Sequence, residues 1–555
     1  MEQTRLLLAI LLTFLVFVAW EFFFSNRQTV QAPPGPAQQS APAKPEVDSA
    51  PPKAAAPPPV ETAETAVAFK PSTPQRPGRL ITIDTKLFEM TISANRGEFQ
   101  KLVLKDFKES VAADAALQSL IESTAAGHNM LFGFKGQTVP GWDSAVYEIQ
   151  TPQDRIEVQD KAKSVVLRWT SANGIEITKT FTFQPDAYLI DLNVQVTNQG
   201  VNALKDRATL SLSRTVGEGQ SRVIFTGPSG FIDEKLKEIA VKDIDDKSDT
   251  DGLITWVAIV DRYFMSALIP AEAVQGTMHL TSGGQEKVSN TLVLSEVEIL
   301  PGQSRNFSYK VFYGPKNTKL LEAYGHDLAK AINFGWFTFL AKPALWIMNQ
   351  IYSIIPNYGI AIILLTVMTK ILLWPLGNKS YKSMNEMKRM QPLMAELREK
   401  YKGDKKKVNE EMMGLYRTYK INPMGGCLPM VVQLPVFLAL YNMLYGAIEL
   451  RHAPFVGWIN DLSTPDRLFH FGFAIPFMDA PYGIPVLTVI MGATMFLQQK
   501  MSPPPGDPTQ AKLMLFMPLI FTFIFINFPA GLVLYWLVNN VLSIAQQYYI
   551  QKKYA

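Results

Sequence analysis

The sequence predicts a multi-pass α-helical membrane protein that carries a large all-β sandwich domain outside the membrane. Six apolar runs, one near the amino terminus and five in the last third of the chain, are long enough to cross a bilayer. Between the first and the second run, apolar and polar side chains alternate with the period of β-strands. Only 18% of the 555 residues are charged, which fits a chain with long uncharged segments.

Composition and motifs exclude several classes of protein. The 53 Lys and Arg nearly balance the 49 Asp and Glu, so the chain lacks the basic excess of a DNA-binding protein. Cys427 is its single cysteine, which excludes an intramolecular disulfide and a multi-cysteine metal site. His128, His279 and His326 are isolated, and the sequence contains no glycine-rich phosphate loop, nucleophile elbow or HExxH motif. We therefore expect no enzymatic catalysis, metal, cofactor or small-molecule substrate.

The amino-terminal region is predicted to be a membrane anchor followed by a tether. After residues 1–5, the run at 6–24 would form a helix of about 29 Å and ends in bulky aromatic residues. A cleavable signal peptide would end in small residues instead, so we expect an uncleaved first transmembrane anchor. Residues 25–62 are rich in proline, which predicts an extended linker without a core.

Residues 63–316 are predicted to form the all-β domain. The turn signal Asn173-Gly174 divides the alternating run SVVLRWTSANGIEITKTFTF at 164–183 and predicts a β-hairpin. Further alternating runs are LITIDTKLFEMTI at 80–92, YLIDLNVQVTN at 188–198 and TLVLSEVEIL at 291–300. A β-sandwich is a typical fold for so many strands.

The chain then becomes helical. Residues 317–354 carry few charges and several aromatic side chains, which predicts a segment lying along the outer membrane interface: Trp336, Phe337, Phe339 and Trp346. Five apolar runs follow. We interpret them as the second to sixth transmembrane helices: 355–376, 427–446, 482–498, 513–528 and 530–548.

The basic residues predict the orientation in the membrane. Residues 377–421 contain twelve Lys or Arg and six acids, whereas the rest of the chain is slightly acidic. Since short basic loops remain in the cytoplasm, this loop is predicted to be cytoplasmic. Alternation of the transmembrane helices then puts residues 1–5 and the tail 549–555 inside and the β domain outside.

Two apolar stripes within this basic loop predict an antiparallel pair of helices. Gly403-Asp404 separates the stripes, and Pro392 is expected to start or kink the first helix. The stripes contain four spaced methionines: Met387, Met390, Met394 and Met412. These methionines either bury one another or form an adaptable surface for apolar partners. The basic flanks would suit anionic lipid or ribosomal RNA.

Polar side chains inside the apolar runs form the candidate site. Lys370 lies in the second run, where an ionised residue costs about 2.5 to 3.5 kcal/mol unless it has a partner, water or an escape route. Thr366 shares its helix face, and Gln433 is expected at the same depth. The sixth run adds Asn539, Asn540, Ser543 and Gln546. Because the outer halves of the runs are apolar, we predict a wet cavity open to the cytoplasm rather than a pore.

Three stretches resemble the YidC family of bacterial inner-membrane insertases, in its Gram-negative form. They are KINPMGGCLPMVVQLPVFLALYNML (420–444), ELRHAPFVGWINDLS (449–463) and FPAGLVLYWLVNN (528–540). The resemblance implies a periplasmic β-supersandwich domain and a five-helix core with a hydrophilic groove open to the cytoplasm and the inner leaflet. It also implies insertion of nascent membrane proteins, alone or with the Sec translocon, without a covalent reaction.

The resemblance further implies roles for individual residues. The positive charge of the groove falls on Lys370, where relatives generally have arginine, so the charge is kept without the planar guanidinium that binds carboxylates bidentately. Thr366 and Gln433 match groove-lining positions, and Trp536 matches an aromatic substrate-contact position. The tail is short, so contact with the ribosome would depend on the cytoplasmic hairpin. The expected partners are nascent membrane proteins, the ribosome, the Sec translocon and the lipid bilayer.

Two other functions remain open from the residues alone. Lys370 could bind an anionic ligand in a transporter or lipid scramblase, although the sequence contains none of the internal repeats that many transporters have. The β domain could instead be a sugar-binding module with the helices as its anchor.

Overall fold

The computed structural model describes residues 78–553, except 113, 123–128, 137, 216–223, 284–286, 420–427 and 503–507. The predicted first anchor, the proline-rich linker, His128 and Cys427 lie outside the described residues. Strands dominate from Leu80 to Pro315, and helices follow from Thr318 to Lys553.

The strands are numbered in chain order. The first ten are β1 Leu80–Thr85, β2 Phe88–Ser93, β3 Phe99–Lys108, β4 Leu117–Ile121, β5 Leu131–Phe134, β6 Glu148–Ile149, β7 Arg155–Val158, β8 Lys163–Thr170, β9 Ile175–Phe183 and β10 Leu189–Asn198. The others are β11 Leu204–Thr215, β12 Gly227–Ile232, β13 Lys235–Glu238, β14 Asp249–Val260, β15 Phe264–Pro270, β16 Val274–Gly283, β17 Lys287–Ile299, β18 Ser304–Pro315, β19 Leu468–Phe471 and β20 Tyr482–Ile484.

Two sheets form the β domain within the described part of the chain. The smaller has the order β4-β3-β2-β1-β7, and the larger has the path β5-β11-β17-β16-β14-β15-β18-β10-β9-β8-β6. Off this path, β12 pairs with β14 and β13 pairs with β12. The sheets pack face to face, since the Phe99 ring of β3 lies 5.2 Å from Phe181 of β9 and 5.9 Å from Tyr313 of β18. The predicted β-rich outer domain is therefore present.

The hairpin predicted at 164–183 is confirmed. Strands β8 and β9 pair antiparallel, with Trp169 opposite Ile177, and buried residues alternate along β9. Gly174 has φ +83°, and a Cβ there would lie 2.9 Å from the backbone nitrogen of Gly200. Glycine at this position thus satisfies both the turn conformation and the close approach of the neighbouring chain.

Nine helices of at least seven residues lie within the described residues. They are α1 Thr318–Tyr324, α2 Thr338–Ile354, α3 Tyr358–Arg389, α4 Gln391–Lys400, α5 Lys405–Thr418, α6 Leu428–Gly446, α7 Val486–Met501, α8 Pro508–Phe525 and α9 Ala530–Lys553. α9 packs against α3 on one side and α7 on the other, and α7 packs against α8. By length and composition α3 could cross a membrane, while Val432–Gly446 and Met514–Phe525 are shorter apolar segments.

Several predicted helix boundaries are wrong. Residues 482–484 form strand β20 rather than the start of the fourth helix, because Pro485 disfavours helix at the residue before it. The fifth helix begins at Pro508, a favoured first position, and ends at Phe525 instead of 528. At their carboxyl-terminal ends, α3 continues past 376 to Arg389 and α9 continues past 548 to Lys553. A helix keeps its backbone hydrogen bonds in water as in lipid, so the membrane surface does not end it.

The basic loop contains the predicted helical pair, as α4 and α5. Pro392 lies in the first turn of α4, and Asp404 caps α5 by accepting a hydrogen bond from the Lys407 amide at 3.0 Å. Met390 and Met394 are buried, which agrees with the first alternative, mutual burial, and excludes an exposed methionine surface at these two residues. Met387 and Met412 stay half-buried.

The segment before α3 exposes three of the four aromatic side chains noted in the sequence, and the fourth, Phe337, is half-buried. Trp336, Phe339 and Trp346 are exposed, whereas Ala341, Leu345 and Met348 on the opposite side of α2 are buried. Its α2 packs on α3 and α6. This segment therefore presents an apolar, aromatic surface outward beside the helices.

Candidate functional site

Lys370 lies within α3 and is held by the last helix. Its Nζ donates hydrogen bonds to Ser543 Oγ at 2.7 Å and to Asn539 Oδ1 at 3.2 Å. Ser543 Oγ in turn donates to the backbone carbonyl of Asn539 at 2.7 Å. Both contacts of the ammonium group are neutral, so its positive charge is held in position without being cancelled.

Asn539 is the centre of this polar cluster. Its Oδ1 accepts from Lys370 and also from Gln433 Nε2, which lies 2.7 Å away. Since both side chains donate to one oxygen atom, Lys370 on α3 and Gln433 on α6 lie at the same level. The cluster thus joins three helices, α3, α6 and α9.

The predicted site residues differ in accessibility. Lys370, Gln433 and Asn539 are half-buried, so part of each side chain can be reached. Thr366 is buried and donates to the Ile362 carbonyl of its own helix at 2.6 Å. The accessible group is therefore the first three residues, which we call the α3–α6–α9 cluster.

Asn540 does not belong to the α3–α6–α9 cluster. Its side chain is buried, and its Nδ2 donates to Thr494 Oγ1 on α7 at 3.3 Å. Because successive helix residues are rotated by about 100°, Asn539 and Asn540 necessarily face different neighbours. Asn540 therefore joins two helices instead of lining the same surface as Lys370, contrary to the expectation from its polarity.

A second polar contact lies closer to the carboxyl-terminal ends of α3 and α9. Gln546 is buried and its Nε2 donates to the Trp374 carbonyl at 3.2 Å and to Asn378 Oδ1 at 3.0 Å. A Cβ at Gly377 would lie 2.7 Å from Gln546 Nε2. The absence of a side chain at Gly377 thus lets α3 and α9 approach closely next to the cluster.

Trp536 lies one turn before Asn539–Asn540 along α9, within an aromatic group. Its ring contacts Phe437 edge-on at 4.7 Å between centroids, Phe525 at 5.1 Å and Phe521 at 6.3 Å. The side chain is half-buried. Toward the amino-terminal end of α9, the surroundings thus change from the polar cluster to aromatic residues of α6 and α8.

Two arginines join the β domain to the chain that follows α6. Arg262 donates from Nε to the Tyr445 carbonyl at 2.8 Å, and its guanidinium lies 3.7 Å from the Tyr445 ring centroid. Arg451 reaches back to the Lys108 carbonyl at 2.7 Å and Gln118 Oε1 at 2.8 Å. Both line a cavity of about 250 Å³. These contacts fasten the β domain to the carboxyl-terminal end of α6 and to the chain that follows it.

The β domain contains a buried lysine with different surroundings. Lys179 in β9 is fully buried, donates to the Arg96 carbonyl at 2.7 Å and lies 4.5 Å from the Tyr147 ring centroid. Burial lowers the pKa of Lys179 to about 7, although the nearby Glu98 carboxylate opposes that change. Since no part of it is accessible, this lysine is part of the core. Among the described residues, no group of His, Cys, Asp and Glu could hold a metal ion.

The central role of Asn539 was not identified from the sequence. Asn539 is one of several polar residues in the sixth run, but its hydrogen bond with Lys370 depends on how α9 is rotated relative to α3. The sequence signal that could have identified Asn539 is its spacing of four residues from Ser543. Residues 539 and 543 are one turn apart and lie on one face, which excludes 540.

Two family models match the chain. The model described as "YidC periplasmic domain" matches residues 80–347, which contain both sheets of the β domain. The model described as "60Kd inner membrane protein" matches residues 350–555, which contain the α3–α6–α9 cluster.

Relatives from other bacteria match over the whole chain. A protein from Syntrophobacter fumaroxidans named "Membrane protein insertase YidC" is 39% identical, and the alignment covers 99% of this chain and 100% of the relative. One of the same name from Nitratidesulfovibrio vulgaris is 38% identical and covers 100% of both chains. A solved structure of an active YidC insertase covers 87% of this chain and 95% of its own at 18% identity, with a TM-score of 0.38. On the strength of the sequence matches, the chain belongs to the YidC family of membrane protein insertases.

Proposed function

We propose that this inner-membrane protein inserts nascent membrane proteins by receiving their hydrophilic segments at the α3–α6–α9 cluster. The observation that carries the proposal is the half-buried Lys370, whose Nζ is held by two neutral oxygens. A positive charge without a bound carboxylate favours an acidic or polar segment of a substrate. The family membership supports nascent membrane proteins as that substrate.

The energetic problem in insertion is the desolvation of polar groups. Moving an unpaired polar group into hydrocarbon costs about 4 to 8 kcal/mol, and an ionised group costs more. Lys370, Gln433 and Asn539 offer donors and an acceptor to such a segment, and they are supported on three different helices. Each hydrogen bond made there replaces one lost to water, so the barrier falls without any cofactor or nucleotide.

The apolar part of the substrate supplies the driving force. Burial of apolar surface in lipid is favourable by about 25 cal/mol per Å². In this mechanism the substrate helix leaves along α3 and α9, past Trp536, while the polar segment is still bound at the cluster. Trp536 already contacts aromatic neighbours, so its role would be to shape this exit rather than to bind the charged segment.

The proposed topology has six transmembrane helices with both termini in the cytoplasm and the β domain in the periplasm. Support comes from the basic excess in residues 377–421 and from α3, which is long and apolar enough to span. In this orientation the cluster lies in the inner half of the membrane, and the Arg262–Tyr445 contact lies at the outer side.

The proposed partners follow from the same orientation. α4 and α5 would face the ribosome with their basic side chains, because ribosomal RNA is a polyanion. Met412 on α5 and Met387 near the carboxyl-terminal end of α3 are half-buried and offer limited apolar surface. Insertion would occur alone or beside the Sec translocon, and the reaction would make and break no covalent bond.

Charge reversal at Lys370 tests the proposal. In proteoliposomes, Lys370→Glu should reduce insertion of a purified single-span substrate with an acidic leading segment by at least about tenfold, because attraction becomes repulsion. Lys370→Arg should stay within about threefold, because the charge remains. Lys388→Glu makes the same charge change at an exposed position of α3 and serves as the control. Normal insertion by Lys370→Glu would refute the role of this charge.

A further inference from the structure

The chain between α6 and α7 carries an exposed aromatic hairpin, residues 468–484, built on strands β19 and β20. Phe469, Phe473 and Phe477 are 67%, 66% and 73% exposed. Phe473 stacks on Phe471 with their ring centroids 5.4 Å apart. Three large apolar side chains therefore project from one short segment.

Two of these phenylalanines have an unusual backbone conformation. Phe469 has φ +55° and Phe477 has φ +64°, in the left-handed region that bulky residues rarely adopt. Such a conformation costs about 1 to 3 kcal/mol and persists where the surroundings enforce it. Both rings also project outward. If they faced water, the hydrophobic cost of exposing the rings would be added to the cost of the backbone conformation.

The base of the aromatic hairpin is fixed to the turn before α9. Asn527 Nδ2 donates to the Phe477 carbonyl at 3.1 Å, and Asn527 Oδ1 accepts from the Asp479 amide at 2.9 Å. Arg467 donates to the Pro481 carbonyl at 3.0 Å and to the Ile526 carbonyl at 2.9 Å. These bonds hold the hairpin in one orientation beside the outer end of α8.

The exposed rings continue an apolar face of α8. Phe477 packs edge-on against Phe523 of α8, with their ring centroids 5.4 Å apart. Phe523 in turn belongs to a row of exposed apolar residues on that helix: Leu515, Phe516, Leu519, Ile520 and Phe523. In a membrane-embedded α8 this row faces lipid, so the hairpin extends the lipid-facing surface beyond the end of the helix.

The composition of the hairpin selects its surroundings. From 468 to 484 the only formally charged side chain at neutral pH is that of Asp479. A surface that docks on a soluble protein usually has a polar rim, whereas aromatic side chains at a bilayer boundary are a common membrane anchor.

We propose that the aromatic hairpin inserts among the acyl chains of the outer leaflet and anchors the outer ends of α7 and α8 there. The inference rests on the proposed topology, which puts residues 468–484 on the periplasmic side. Its ligand is the hydrocarbon region of the bilayer, and no particular headgroup is required. By fixing these helix ends at the outer interface, the hairpin would resist their displacement while a substrate passes the inner half.

Spin labels at single cysteines test this depth directly. In full-length protein carrying Cys427→Ser, nitroxides are placed by Phe473→Cys, by Leu519→Cys on the lipid-facing row and by Val201→Cys. Val201 is exposed in the β domain near Thr197, which pairs with Ser304 at the end of β18 opposite the helices. In liposomes of phosphatidylethanolamine and phosphatidylglycerol, collision rates with oxygen, which concentrates in lipid, and with a water-soluble nickel chelate are compared.

The expected ratio of oxygen to nickel collisions at 473 equals that at 519 and is several-fold above that at 201. Ala474→Cys, at an exposed neighbouring position, repeats the measurement with all the phenylalanines present. A ratio like that at 201 would overturn the proposal. Low collision rates with both agents would also overturn it, because a protein partner or second copy would then cover the hairpin. An aqueous result at 519 would instead refute the membrane position of α8 in the proposed topology.

Discussion

The β domain and the helical region each enclose a lysine, and the two lysines differ in how far they can be reached from outside the fold. Lys179 donates to a backbone carbonyl and faces the Tyr147 ring, and Lys370 donates to an amide and a hydroxyl oxygen. Both have neutral hydrogen-bond acceptors. Lys179 is fully buried, however, whereas Lys370 is half-buried. The two lysines therefore differ in accessibility and not in the type of hydrogen-bond partner, and only the more accessible of the two could contact a substrate.

The two regions also bury their polar groups differently. In the β domain, the buried Asn290 bridges strands by donating to the carbonyls of Ser229 and Ala258. In the helical region, Asn539 and Gln433 bond across helices and still keep an accessible side. A β-sandwich can place strand-bridging groups out of reach, while a site for polypeptide segments must leave its polar groups partly unused.

The largest expected difference between the regions concerns insertion. Removing residues 78–316, the β domain, should reduce insertion of a single-span substrate by no more than about threefold, while Lys370→Glu alone should reduce it by at least tenfold, because we assign substrate binding to the helices. Proteoliposome insertion of both variants, normalised to reconstituted protein, measures this. If the deletion reduced insertion more than Lys370→Glu did, although α6 remained folded, the β domain rather than the helical region would be the main site of insertion activity.

A smaller effect is expected at the shared acceptor of the cluster. Asn539→Leu removes the oxygen to which Lys370 and Gln433 both donate, so Lys370 loses one of its two anchors. We expect insertion to fall by about three- to tenfold, since the net contribution of a single hydrogen bond is about 0.5 to 1.5 kcal/mol. Asn540→Leu is the matched control on the adjacent residue, and it should leave insertion within about twofold. Equal losses in both variants would mean that α9 packing, not the cluster, was affected.

The smallest effect on insertion is expected at Lys179. Because the pKa of Lys179 is lowered to about 7, the unfolded chain binds more protons above that pH, and folding stability should rise with pH between about 7 and 10. Lys179→Met should flatten this rise by up to about 1.4 kcal/mol per pH unit while insertion stays unchanged. Urea unfolding of the β domain within the full-length protein, at pH 7 and pH 9, provides the test. If the folding stability of Lys179→Met rose with pH as steeply as that of the unaltered protein, the buried Lys179 would not be the source of the pH dependence.

Local sequence patterns predicted the β-hairpin at 171–174 and the helical pair in the basic loop. Both depend on short-range signals, namely Asn173-Gly174 for the turn and Gly403-Asp404 for the break between helices. Helix ends were less predictable, because hydropathy marks where the membrane would end and not where the backbone hydrogen bonds end. α3 thus continues to Arg389, well beyond the apolar run.

The candidate site was predictable in composition but not in geometry. A lysine in an apolar run is conspicuous, and so Lys370 was identified. Which of Asn539 and Asn540 would meet it depends on the rotation of α9, which a single sequence does not specify. The burial of Met390 and Met394 likewise depends on how α4 and α5 pack, since an amphipathic stripe fits a helix partner as well as a substrate.

The most direct test of the account is a cross-link from the cluster to a polypeptide in transit. In protein carrying Cys427→Ser, Gln433→Cys is compared with Asn540→Cys, using a ribosome-bound membrane-protein chain with one cysteine in its hydrophilic segment and a short bifunctional thiol reagent. We expect an adduct at 433, on the half-buried cluster, and none at 540, which faces Thr494. Absence of an adduct at 433, or equal adducts at both positions, would contradict it.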